Sequence, residues 1–380
     1  MRWWIGVLGL VACGGADPET LFAPGEFDVG YMTTTLTYEG PGLEEPRTLT
    51  VNVWYPAQEP GAQVAQYKVA GIITQDSALA TFEPPPFEGE ARLVVYSHGS
   101  GGEGLLGYPL GENMASHGWV VVAPDHAGNT ARDFLANTWA PSMRTTVNRP
   151  LDIHATLDAA GAGLVEGLDL RVDGALLVGH SFGGYTALTV GGAKLDVDAY
   201  VSACEDPPEE EDGSCEVLAN AEVQAALRGG FRDERIGALV PQAPALIPNF
   251  AAGELAGIDI PVMVQSGQRD QSTTHEMQAV PAWEGLNGAD DVWVNLPDGG
   301  HYSFVTICDD LNPTTLQLFR PDAMDDGCNE TFTPVSRTIP TLAAYANAFA
   351  QAHLLGDKSW GKAISGEPWR EGFEVTVRGE

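Results

Sequence analysis

The run Gly179-His180-Ser181-Phe182-Gly183 lies between a short apolar segment, Ala175-Leu176-Leu177-Val178, and a stretch of helical character. A serine between two glycines at a strand-to-helix turn is the spacing of a nucleophile elbow. The serine sits on strained backbone, and a Cβ at either flanking glycine would strike a neighbouring strand or helix. A serine hydroxyl is inert without a base, and the base needs an acid to orient it. Val292-Trp293-Val294 runs into the Gly-rich turn that ends at His301, the candidate base. Pro261-Val262-Met263-Val264 runs into a polar turn that ends at Asp270, the candidate acid. Glu276 and Asp298 are rival acids, the first assigned to the following helix, the second too near His301 in sequence to face it across a site. The chemistry of such a set is acyl transfer through a covalent serine intermediate. That reaction needs backbone N–H groups aimed at a tetrahedral oxyanion. Phe182, directly after the nucleophile, is the candidate for one, and Ser100 for the other. Gly99, Gly101 and Gly102 let the Ser100 loop approach a ligand closely.

Elements that would position these residues are legible as apolar runs. Leu93–Tyr96, Trp119–Ala123, Ala175–Val178, Ile236–Val240, Pro261–Val264 and Val292–Val294 are short, continuous and bounded by Gly or Pro. Such runs fit strands buried on both faces of a parallel sheet. Helical segments are predicted near 106–117, 150–166, 184–193 and 275–287. Two earlier runs, Met32–Tyr38 and Thr48–Tyr55, read as extended antiparallel strands, the second alternating Leu49, Val51, Val53 and Tyr55 with Thr and Asn as a half-buried strand does. The expectation is an α/β architecture: an eight-stranded, mostly parallel sheet with helices on both faces. Its functional loops should sit at the carboxyl ends of the strands. His98 and His180 are read as buried supports, and His126 either lines the pocket or packs its loop. His117, His154, His275 and His353 are assigned no role. No H-E-x-x-H, paired CxxC or strand-borne GxGxxG occurs, so no metal or dinucleotide cofactor is expected.

Five motifs occur in order: Arg47–Pro56, Val95-Tyr-Ser-His-Gly99, Ala115–His126, Arg149-Pro-Leu-Asp152 and Gly179–Tyr185. Together they resemble the platelet-activating-factor acetylhydrolase-like family of α/β-hydrolases, which includes predicted dienelactone hydrolases and has cutinase-like polyesterase relatives. The resemblance covers roughly 45–200 and thins over 236–304. It implies an α/β-hydrolase fold and hydrolysis of carboxylic esters with short acyl groups by a Ser-Asp-His triad, without cofactor. Dienelactone hydrolases use a cysteine nucleophile, and this chain has Ser181 there. An acyltransferase of the same fold, or a non-catalytic surface lipoprotein, would carry the same pattern.

At the amino terminus, residues 1–12 read as a signal peptide, one positive charge followed by an apolar run too short to span a bilayer. Leu10-Val11-Ala12-Cys13 resembles the bacterial lipobox, so Cys13 is the expected lipidation site, 13–26 a tether and 27–380 the hydrolase domain. An ordinary secreted protein is the alternative. Export favours oxidised cysteines, and proximity favours Cys204–Cys215 and Cys308–Cys328 over the two other pairings that four cysteines allow. Insertions are expected at 204–235 and 302–330, with 127–148 and 302–330 forming the pocket rim. The acid run 205–212 reads as a solvated turn in preference to a calcium loop. With 52 acidic against 19 basic residues, a net charge of −33, the chain lacks the basic footprint of a nucleic-acid binder. The expected partner is a small-molecule, lipid or polymeric ester, met by a monomer that touches a membrane only through its lipid.

Overall fold

The computed structural model describes residues 16–379 except Ala70 and Ile72. The leader and Cys13 therefore lie outside the described residues. Eleven strands are described: β1 (Asp28–Tyr38), β2 (Arg47–Ala57), β3 (Val64–Val69), β4 (Ile73–Phe82), β5 (Glu90–Ser97), β6 (Trp119–Pro124), β7 (Asp169–His180), β8 (Ile236–Gln242), β9 (Met263–Gly267), β10 (Val292–Leu296) and β11 (Glu374–Val377). They form one sheet in the order β11-β10-β9-β8-β7-β5-β6-β2-β1-β4-β3. From β6 to β10 all neighbours are parallel, and β1, β2 and β6 are joined antiparallel. The eight expected strands are all present. Three more extend the edges: β3 and β4 arise from the Pro/Gly-rich stretch 58–90, and β11 is a short strand whose residues are exposed or half-buried.

Continuous apolar runs become two cores because successive strand residues point to opposite faces. Leu93, Val95, Val120, Val122 and Leu177 pack on one face; Val94, Tyr96, Val121, Leu176 and Val178 pack on the other. The helices Ser142–Gly161 and Phe182–Val190 cover the first face. Helices Tyr108–Ser116 and Val335–Leu354 cover the second. Helix Ser142–Gly161 begins eight residues before the expected start because Pro150 does not break it. Proline removes the N–H that would bond the carbonyl four residues earlier, and Tyr185 Oη donates to that carbonyl, Thr146 O, at 3.1 Å instead.

The segment expected to be a tether is partly docked. Residues Glu19–Phe22 form a helical turn with Leu21 buried, and Glu19 pairs with Arg370 at 2.6 Å. The insertion expected at 204–235 contains helices Ser214–Ala219 and Ala221–Gly229. That at 302–330 folds as short helical turns around its own small core of Tyr302, Val305, Ile307, Leu311, Leu316 and Ala323.

Candidate active site

Strand order positions the chemistry. The chain runs outward from β5 to β6, then returns to the other side of β5 to form β7. Crevices open where strand order reverses in this way, beyond the carboxyl ends of the strands. Ser97 and Gly179 are register partners there, so the Ser100 loop and the Ser181 turn leave the sheet side by side. Ser181 has φ 56° and ψ −115°, a conformation unfavourable for any residue with a Cβ. A Cβ on Gly179 would overlap Gly183 O, and one on Gly183 would overlap Ser97 O. Only glycine fits at either flank.

Asp270, just past β9, and His301, past β10, come from adjacent parallel strands. His301 Nδ1 donates to Asp270 Oδ2 at 2.9 Å, and both residues are buried. Thr273 braces the acid: its N–H donates to Asp270 Oδ1 at 2.6 Å and its Oγ1 lies 2.7 Å from Asp270 Oδ2. The rivals face elsewhere, Glu276 to solvent and Asp298 toward Arg269 at 3.6 Å. Ser181 and His301 line one cavity of about 870 Å³. No hydrogen bond joins them among the described residues; such contacts are often loose until substrate is bound.

A residue of the insertion binds the acid turn to the histidine loop. The buried Asp326 carboxylate accepts from the His301 and Gln271 amides through Oδ1 and from the Ser272 amide through Oδ2, each at 2.9 Å. The two disulfides form as expected, Cys204–Cys215 and Cys308–Cys328. The first lines the cavity, and the second closes the segment that carries Asp326.

The remaining polar groups beside the site are locked. His126 N donates to His98 Nε2 at 3.0 Å, so His98 carries its proton on Nδ1 and donates it to Gly99 O at 2.7 Å. His180 Nε2 donates to His301 O at 3.0 Å. Burial holds the pKa of both rings well below the usual histidine value. His126 is wholly buried and does not line the 870 Å³ cavity: its Nδ1 meets Asp152 Oδ2 and its Nε2 meets Ser97 Oγ, each at 2.8 Å. This second Ser-His-Asp chain is sealed from solvent and can only be structural. Although burial opposes its charge, Arg47 and His126 lower the Asp152 carboxyl to about 2.

In the loop after β5, Gly101 N donates to Asn129 O and Gly102 N to Gly99 O. Of the amides after Gly99, that leaves Ser100, which lines the cavity with Phe182. The cavity wall is mainly apolar, with Phe134, Trp139 and Met143 from 127–148 and Val305, Ile307 and Leu311 from the insertion. Among the described residues no cluster of metal-binding side chains is found.

No family model matches the sequence, and no curated protein matches it. Among solved structures the chain is similar to a ferulic acid esterase from Streptomyces cinnamoneus, with a TM-score of 0.65 and 21% identity over 93% of this chain and 98% of that one. The fold is that of an α/β-hydrolase.

Proposed function

We propose that the protein is a serine carboxylic-ester hydrolase. The observation that carries this reading is a single arrangement: Ser181 on a strained elbow, opening into the same cavity as a histidine whose Nδ1 is held by a buried, braced carboxylate. His301 takes the Ser181 proton on Nε2 as the oxygen attacks the ester carbonyl. Amides of Ser100 and Phe182 hold the oxyanion, and His301 returns the proton to the departing alcohol. Water, activated by the same histidine, then hydrolyses the acyl-enzyme. Asp270 fixes the histidine tautomer and stabilises the imidazolium.

The five motifs support placement near the platelet-activating-factor acetylhydrolase-like hydrolases, hence short acyl groups. The apolar cavity leaves room for a bulky group on the other side of the ester. Two disulfides favour an oxidising compartment, and the sequence before residue 16 favours export with lipid on Cys13. No described helix is long and apolar enough to cross a membrane.

Steady-state assay with p-nitrophenyl esters of increasing acyl length tests the reading. Wild type should turn over the short members, and Ser181→Ala should lose about 10⁴–10⁶ in kcat with an unchanged thermal midpoint. A variant that keeps a tenth of wild-type activity contradicts it.

A further inference from the structure

Arg149 sits wholly buried in helix Ser142–Gly161, and it makes no ion pair among the described residues. Asp152, one turn away, is taken by Arg47 and His126. Every acceptor of the Arg149 guanidinium is neutral. Nη1 donates to His98 O at 2.6 Å, Nη2 to Gly99 O at 3.2 Å and to Asn129 Oδ1 at 2.6 Å, and Nε to Asn129 Oδ1 at 3.1 Å. Its central carbon lies 4.7 Å from the Phe182 ring centroid. A buried cation with no carboxylate bonded to it is unfavourable; burial lowers its pKa to about 9 against the opposing pull of Asp152. Something else must hold it there.

What it touches is the proposed oxyanion hole. We propose, resting on the serine-hydrolase reading, that Arg149 is the positioning residue of that hole. A peptide unit is planar and trans, so its C=O and the next residue's N–H point in opposite directions. Drawing the Gly99 carbonyl toward Arg149 turns the Ser100 N–H away from the guanidinium. The same group packs on the side chain of Phe182, whose amide is the other donor. Asn129 sets the roll of the fork by accepting from two of its nitrogens, and its Nδ2 donates to Ser100 Oγ at 3.1 Å. From the outside Arg320 Nη2 donates to Ser100 O at 3.0 Å. A positive charge directly behind the hole, in water-poor surroundings, favours an oxyanion over a neutral carbonyl.

The test compares wild type with Arg149→Met, Arg149→Lys and Asn129→Ala. Three quantities are read: kcat and KM on a short p-nitrophenyl ester, thermal midpoint, and inhibition by a trifluoromethyl ketone, which serine adds to form an oxyanion. Arg149→Met should lower kcat by about 10²–10³ with little change in KM, and trifluoromethyl ketone affinity should fall in step with kcat/KM. Lysine restores charge without the fork and should recover only part of kcat. If both Arg149 variants fail to fold, Asn129→Ala carries the test, since it frees the fork but keeps the cation; a smaller, parallel loss is expected. Thermal midpoint lowered with kcat and ketone affinity unchanged makes Arg149 a packing residue and overturns the proposal. Wild type without esterase activity, or active Ser181→Ala, defeats the hydrolase reading itself, which separates the two failures.

Discussion

Ser181 keeps its left-handed backbone because neighbours fix it from both sides: its N–H donates to Gln242 O and its carbonyl accepts from Gly184 N, each at 2.8 Å. Strain of this kind costs about 1–3 kcal/mol and aims the hydroxyl into the cavity. Beyond the nucleophile, the base and the acid should differ in sensitivity. His301→Ala should be nearly as damaging as Ser181→Ala, whereas Asp270→Asn, which keeps the shape but disturbs the tautomer, should lose about 10⁴ in kcat and retain measurable turnover above the His301→Ala level. If Asp298→Asn were the crippling change instead, the acid assignment is wrong. Elsewhere, burial and the nearby Glu103 raise Asp125 to about 7. Its folded pKa lies above the unfolded value, so its contribution to stability is full in acid and is lost as pH rises through about 7. Asp125→Asn should therefore raise the thermal midpoint at pH 8, with the difference from wild type shrinking toward pH 4. A difference independent of pH contradicts this. The placement of Ser181, Asp270 and His301, the proposed triad, was readable from sequence because each follows an apolar run at a turn. Arg149, Asn129 and Asp326 were not: their partners lie 20 to 55 residues away, and nothing local marks them.

Elements explain where the sequence misled. Helix Ser142–Gly161 runs through Pro150 because a tyrosine from another helix satisfies the freed carbonyl, and that contact is invisible before the fold exists. Strands β3 and β4 hide in a stretch rich in turn residues and pair mainly with each other at the sheet edge. The insertion 302–330, expected as a rim, also holds the Asp270 and His301 loops together through Asp326. That difference separates the two disulfides. Each closes a short loop, which chain-entropy arguments value at roughly 3 kcal/mol. Cys308→Ser/Cys328→Ser should lower both thermal midpoint and kcat, because Asp326 lies two residues before Cys328. Cys204→Ser/Cys215→Ser should lower the midpoint with a smaller effect on kcat. Equal losses of kcat in the two pairs would contradict a positioning role for the insertion.

Across the whole molecule, five parallel pairings bring the proposed site residues to the carboxyl ends of the strands, and two apolar cores hold the sheet from either face. The continuous apolar runs of the sequence foretold this layering, since burial on both faces requires side chains of both parities to be apolar. The net charge of −33 foretold nothing about the cavity, whose walls are mainly apolar because its lining comes from separate loops that converge only on folding. On the proposed chemistry, Ser181 alone is the activated nucleophile of this cavity. Labelling with a fluorophosphonate, followed by intact mass and peptide mapping, tests it most directly. One phosphonyl group per chain is expected, on Ser181, with esterase activity lost in proportion and no labelling of Ser181→Ala or His301→Ala. Stoichiometric label on another residue, or full esterase activity in chains labelled at Ser181, would contradict it.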